Sequence, residues 1–169
     1  MSADRPTILA VIYRSPYLFT ALGQDGHIFE LRRHRVLEAA DSFVRMRWMI
    51  QHEAVNYQVA EVIVEPKRRT KASLPAWSRP SRSITEVAVE SLDLPYRTMS
   101  LKEAKSIIEG STKLSERKFI PRLLATHPEL RRFVRVLPTG NIAAQERWKT
   151  WMLTAAAMAL AAGRSPSKE

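Results

Sequence analysis

The sequence predicts an α/β protein with a mixed five-stranded sheet, three strands antiparallel and two parallel, flanked by helices. Three observations predict it. Thr7 to Arg14, TILAVIYR, is β-rich and almost wholly apolar, as a strand covered on both faces must be. The next segments keep a strand period around an Asp25-Gly26 hairpin signal, and the period then becomes helical from Val36. A second apolar strand, Glu61 to Pro66, follows that helix, so the chain crosses over before re-entering the sheet.

Taken in order, Leu18 to Gln24 is the second strand. His27 to His34 alternates apolar and polar residues, as an edge or half-buried strand does. Val36 to Tyr57 is a helix, because Val36, Ala39, Ala40, Phe43, Val44, Met46 and Ile50 recur at helical spacing. Ser83 to Leu92 reads as another, with Ile84, Val87 and Leu92 inward. Pro95 to Met99 is the fifth strand. Ser100 and Glu103 form a capping box for a helix that ends at Gly110. Ser115 caps the next helix, through about Thr126, and His127-Pro128 stops it. Pro138-Thr139-Gly140 is a turn. The last helix runs from about Ala143 to Ala162, with Gly163 as its stop. The expected organisation is one domain over residues 1–163 and a polar tail over 164–169, with no internal repeat.

Composition narrows the function. The 169 residues carry 27 Lys and Arg against 17 acids, a formal net charge of +10. Such an excess favours polyanions, because cation contacts to phosphates release condensed counterions. Nucleic acid is the expected partner; an anionic membrane surface and a merely soluble basic protein are the alternatives. There are no cysteines, which excludes disulfides, thiolate metal sites and thiol catalysis and suits a reducing, cytoplasmic setting. Met1 to Thr7 lacks a signal-peptide pattern, and no apolar run reaches the ~18 residues of a membrane span.

The cations are not spread evenly. Residues 67–82 contain Lys67, Arg68, Arg69, Lys71, Arg79 and Arg82 and no acid, and Pro75 and Pro80 prevent a continuous helix. A connection of this length is either functional or unstructured. With Trp77 in its middle it can follow a phosphate backbone and stack on a base; the alternative is a solvated loop whose tryptophan packs back on the domain. Lys102 and Lys105 share the capped helix. Lys113, Arg117 and Lys118 cluster at the start of the next, where helix N-terminal amides add to phosphate binding. Arg131, Arg132 and Arg135 form a third cluster. Each residue alone reads as a solvated cation; together they read as a binding surface.

Other chemistries find little support. The four histidines show no metal spacing, and His52-Glu53 lacks the second histidine of a zincin helix. Five glycines form neither a phosphate-cradling loop nor a dinucleotide fingerprint, and no nucleophile-elbow pattern surrounds a serine. Trp148 and Trp151 read as core residues of the last helix.

Four passages, in this order and spacing, resemble the RuvC family of Holliday-junction resolvases, of ribonuclease H-like fold. They are ILAVIYRSPYLFTAL at Ile8 to Leu22, VIVEP at Val62 to Pro66, the run from Leu94 to Leu124, and TAAAMALAAG at Thr154 to Gly163. The resemblance implies a nuclease whose acidic side chains hold two divalent ions. It also implies that the region around Arg117 faces DNA, and that a homodimer addresses the two-fold junction. Yet the position matching the first-strand aspartate is Ile12, and those matching the last-helix ligands are Trp151 and Thr154. Glu65 alone keeps a catalytic position, and otherwise it is a strand-end residue paired to Lys67 or Arg68. The expected function is therefore a catalytically degenerate RuvC-like protein that binds DNA, including branched DNA, without a cofactor. One alternative is an endonuclease using Mg²⁺ or Mn²⁺ at a rearranged site around Glu65, recruiting Asp25, Glu146 or Glu129. Another is a protein- or RNA-interaction module docking through the alanine-rich face of the last helix.

Overall fold

A computed structural model describes residues 6–36, 41–66, 82–111, 113–135 and 138–164. The strands are β1 (Thr7–Arg14), β2 (Tyr17–Gln24), β3 (His27–Arg35), β4 (Val59–Val64) and β5 (Tyr96–Thr98). They form one sheet in the order β3-β2-β1-β4-β5. β1 pairs antiparallel with β2, and β2 with β3; β4 runs parallel to β1 and β5 parallel to β4. Asp25 and Gly26 both have positive φ, 56° and 76°, as the tight β2–β3 turn demands.

Both faces are covered, which explains why β1 is apolar throughout. Ile8, Ala10 and Ile12 pack on one side and Leu9 and Val11 on the other. The helices are α1 (Ser42–Asn56), α2 (Ile84–Glu90), α3 (Leu101–Glu109), α4 (Glu116–Thr126) and α5 (Ile142–Arg164), with a 3-10 turn at Pro128–Arg132. α1 and α2 share a core with the Leu9 side. α3, α4 and α5 share one with the Ile12 side.

Several sequence expectations need correction. α1 begins at Ser42, not Val36. Val36 is buried, but its N–H donates to the Pro16 carbonyl at 2.6 Å, which ties it to the β1–β2 turn. Val44 is 65% exposed, so it belongs to the outer face; Met46, Met49, Ile50 and Ala54 form the inner one. Ala39 and Ala40 lie outside the described residues. In α2 the inward residues are Thr85, Ala88 and Val89, whereas Ile84 and Val87 are 41% and 43% exposed. The capping box of Ser83 and Glu86 fixes that phase. The Ser100–Glu103 box is present, and Gly110 ends α3 at φ 69°. Ser115 stands at the N-cap of α4 but makes no side-chain cap bond.

α5 is longer than expected. Asn141 Oδ1 accepts from the Ala144 N–H to start it, and it passes through Gly163 to Arg164. Gly163 therefore does not stop the helix. Arg164, expected in the tail, is the last helical residue, and its Nη1 donates to the Ile108 carbonyl. The alanine-rich stretch is no docking face. Ala155, Ala156, Ala157 and Ala161 are fully buried, because this half of α5 lies between the sheet and α3. Small side chains let the helix approach the strands closely.

Candidate nucleic-acid interface and the Glu65 cleft

β1 and β4 run parallel with Ala10 beside Ile63 and Val11 beside Val64. Ile63 faces α5, so Glu65, two residues on, faces α5 as well. On β1 the same parity turns Ile12 and Arg14 toward α5. The strand ends thus present Ile12, Arg14 and Glu65 to the last helix.

α5 answers with Arg147, Thr150, Trp151 and Thr154, a stripe at i, i+3, i+4 and i+7. These residues, with Arg14, Glu65, Leu101 and Glu116, line a cleft of about 370 Å³. The fold therefore brings Glu65 to Trp151 and Thr154, which lie far from it in the sequence, with Ile12 in the core on the same side of the sheet.

The chemistry in the cleft is that of packing and charge pairing. Ile12 is fully buried. Trp151 lies edge-on to buried Phe19 at 5.5 Å between ring centroids. The Thr154 hydroxyl donates to the Thr150 carbonyl at 2.8 Å, so its proton is committed to the helix backbone. Glu65 is paired with Arg14; Lys67 and Arg68, the partners expected from the sequence, lie outside the described residues. Arg14 Nη2 stands 2.9 Å from Oε1 and 2.6 Å from Oε2 of the carboxylate, and both side chains are mostly buried. Arg14 Nη1 also donates to the Tyr13 carbonyl.

A two-metal centre needs several oxygen ligands. Here the side chains gathered around Glu65 are Ile12, Trp151, Thr154, Arg14 and Arg147, with Glu116 the one other carboxylate lining the cleft, a set that does not fit it. Among the described residues no group of three His, Asp or Glu side chains comes together to hold an ion. The acids considered for recruitment stand elsewhere. Asp25 is at the β2–β3 turn, against the opposite end of β1. Glu146 pairs with Lys149, and Glu129 with His127. Glu116, which the sequence reading missed, is the other acid in the cleft.

Lys113, Arg117 and Lys118 are exposed around the start of α4. Lys113 and Lys118 line a second cleft with Arg122 and Glu109. Lys102 is exposed on α3, whereas Lys105 is half-buried and donates to the Leu114 carbonyl at 3.1 Å. Lys105 therefore ties α3 to the segment before α4. Lys67, Arg68, Arg69, Lys71, Trp77 and Arg79 lie outside the described residues.

The fold matches known structures. RuvC from Thermus thermophilus superimposes with a TM-score of 0.60 at 11% identity, over 94% of this chain and 93% of that one. The chain has the RuvC-like fold. T. thermophilus RuvC in complex with a Holliday junction substrate gives a TM-score of 0.59 at 10% identity, again over 94% and 93%. The yeast mitochondrial Holliday junction resolvase Ydc2 gives 0.60 at 14% identity, over 96% of this chain and 80% of that one. No family model and no curated protein matches the chain in sequence. Parallel pairing of β1 and β4, with Val11 beside Val64, carries Ile12 and Glu65 to the same end of the sheet. No helix among the described residues is long and apolar enough to cross a membrane.

Proposed function

We propose that this chain is a catalytically inert RuvC-fold protein that binds nucleic acid, DNA and in particular branched DNA, through a basic surface. One observation carries the reading: in the Glu65 cleft a buried isoleucine and an arginine–glutamate pair stand where hydrolysis would need free carboxylates. The reaction would demand two divalent ions, and Arg14 and Arg147 oppose their approach electrostatically. Exposed Arg147 suits a phosphodiester. The net charge of +10, the exposed cations of α4 and the basic residues 67–82 support that polyanion preference. The protein acts by holding DNA, without a cofactor and in a cytoplasmic setting.

Exposed Val44, Trp48 and Val55 on α1 favour a further apolar contact, and a homodimer is the occupant proposed with this reading. Sedimentation of the purified protein tests it; a monomer at tens of micromolar overturns the dimer and leaves DNA binding untouched.

The central experiment incubates the protein with a labelled four-way junction, a matched duplex and a matched single strand. Each is run with Mg²⁺, with Mn²⁺ and with EDTA, and read for gel shift and cleavage. Binding that prefers the junction, is indifferent to EDTA and leaves the strands intact is the expected result. Metal-dependent cleavage that disappears in Glu65→Ala overturns it in favour of a nuclease built on Glu65 and Glu116. Absence of binding at moderate salt overturns it in favour of a protein-interaction module.

A further inference from the structure

α5 carries a second stripe. Gln145, Trp148, Lys149 and Met152 repeat the spacing of Arg147, Thr150, Trp151 and Thr154 from two residues earlier. At about 100° per residue, that offset puts the two stripes on opposite sides of the helix. The second stripe lines a separate cleft of about 520 Å³, closed by Arg33 of β3 and by Phe133, Arg135 and the Gly140 turn.

Two features set this cleft apart. Among the described residues it is lined by Arg33, Arg135 and Lys149 and by no carboxylate, whereas the clefts that hold Asp25, Glu109 and Glu65 each contain an acid. Lys149 has Glu146 at 3.8 Å on its own helix, but among the described residues no acid pairs with Arg33 or Arg135. Arg33 is also held in place. Its guanidinium lies 3.7 Å over the Trp148 ring and 5.1 Å over Tyr17, and those rings meet edge-on at 5.4 Å. Stacking fixes the guanidinium plane without using its N–H edges, which are the groups that grip a phosphate.

We infer that this cleft between β3 and the first half of α5 binds the sugar-phosphate backbone of a second nucleic-acid strand, distinct from the one at the Glu65 cleft. The inference rests on the nucleic-acid reading above and adds to it. Since α5 stands between the two clefts, one linear duplex does not occupy both, whereas two arms of a branched molecule can flank the helix.

The test compares two matched double variants of the full chain, Arg33→Gln with Arg135→Gln and, as control, Arg45→Gln with Arg164→Gln, away from both clefts; sedimentation checks that both keep the oligomeric state of the wild type. Each loses two cations. Affinity for the four-way junction and for linear duplex is measured across a salt series. The cleft variant is expected to bind the junction about 10- to 100-fold more weakly near 0.1 M salt, with the salt slope reduced by about two. Its loss on linear duplex is smaller, and the control stays within about twofold of wild type. Arg135→Gln with Lys149→Gln leaves the Trp148 stack intact and gives the same result if the effect is local charge. Junction affinity equal to that of the control overturns the inference while the wild-type binding that supports the function stands. An equal loss on linear duplex overturns it too, because one strand then touches both sides. Failure of the wild type to bind any of these probes overturns both readings.

Discussion

Arg14 and Glu65 sit at the ends of adjacent parallel strands, with one guanidinium nitrogen within 3 Å of both carboxylate oxygens (2.9 and 2.6 Å). The contact joins residues 51 apart in sequence. It neutralises the acid that the RuvC resemblance proposes for a catalytic position. It also makes that acid a structural partner, whose removal exposes a cation to whatever lies in the cleft.

Glu65→Ala therefore leaves DNA affinity unchanged or raises it a few-fold, because Arg14 becomes available to phosphate. Stability falls by about 1–3 kcal/mol, since the half-buried guanidinium loses its partner. Thermal melting and a binding isotherm on the same preparation read both effects. A large loss of DNA binding would show that Glu65 organises the binding surface directly.

Ile12→Asp places a carboxylate at a fully buried position. It is expected to cost at least about 2 kcal/mol, because the charge enters a packed apolar face. It does not create Mg²⁺-dependent cleavage, because Trp151 and the Arg14–Glu65 pair remain. Cleavage by this single variant would mean that only one ligand separates the fold from activity.

The other face of the sheet holds a charged network that predicts acid sensitivity. Glu53 of α1 is 1% exposed. It accepts from Arg32 Nη1 at 2.8 Å and lies 3.4 Å from His34 Nε2. Burial pushes its carboxyl pKa up, but the His34 and Arg32 contacts together outweigh burial, and the net direction is downward from 4.5. A depressed folded pKa contributes stability that is present above 4.5 and is lost as pH falls below that value. Glu53→Gln removes this contribution, so its melting temperature is lower at neutral pH and flatter through the acid range than that of the wild type. Parallel pH profiles of the two proteins would deny the coupling.

Arg117→Gln with Lys118→Gln removes two exposed cations from the first turn of α4. Binding should weaken for every DNA sequence alike, and the salt slope should fall by about two. An unchanged slope removes α4 from the interface.

Ala157→Leu tests the packing of α5. Ala157 is fully buried where the helix meets the sheet and α3. Extra methyl groups there force the helix away at a cost of about 1–3 kcal/mol. A melting temperature equal to wild type would show slack that the close approach of α5 does not predict.

Much of the fold was legible in the sequence because its signals are local. The apolar run Thr7 to Arg14, the Asp25-Gly26 turn and the Ser100–Glu103 box each act within a few residues, and each appears where expected. Helix phase was less legible. Val44, Ile84 and Val87 fit an apolar period, but neighbouring elements decided which side of each helix was covered.

The sequence by itself determined the order of strands and helices, the positive charge and the absence of acids at Ile12, Trp151 and Thr154, since composition and backbone preference belong to the chain. Only the tertiary structure decided that Arg14 satisfies Glu65, that the alanine run is buried and that Arg33 lies over Trp148. Those contacts depend on sheet register and on how α5 crosses the strands. Register and crossing come from the whole core packing at once, so no segment read alone contains them.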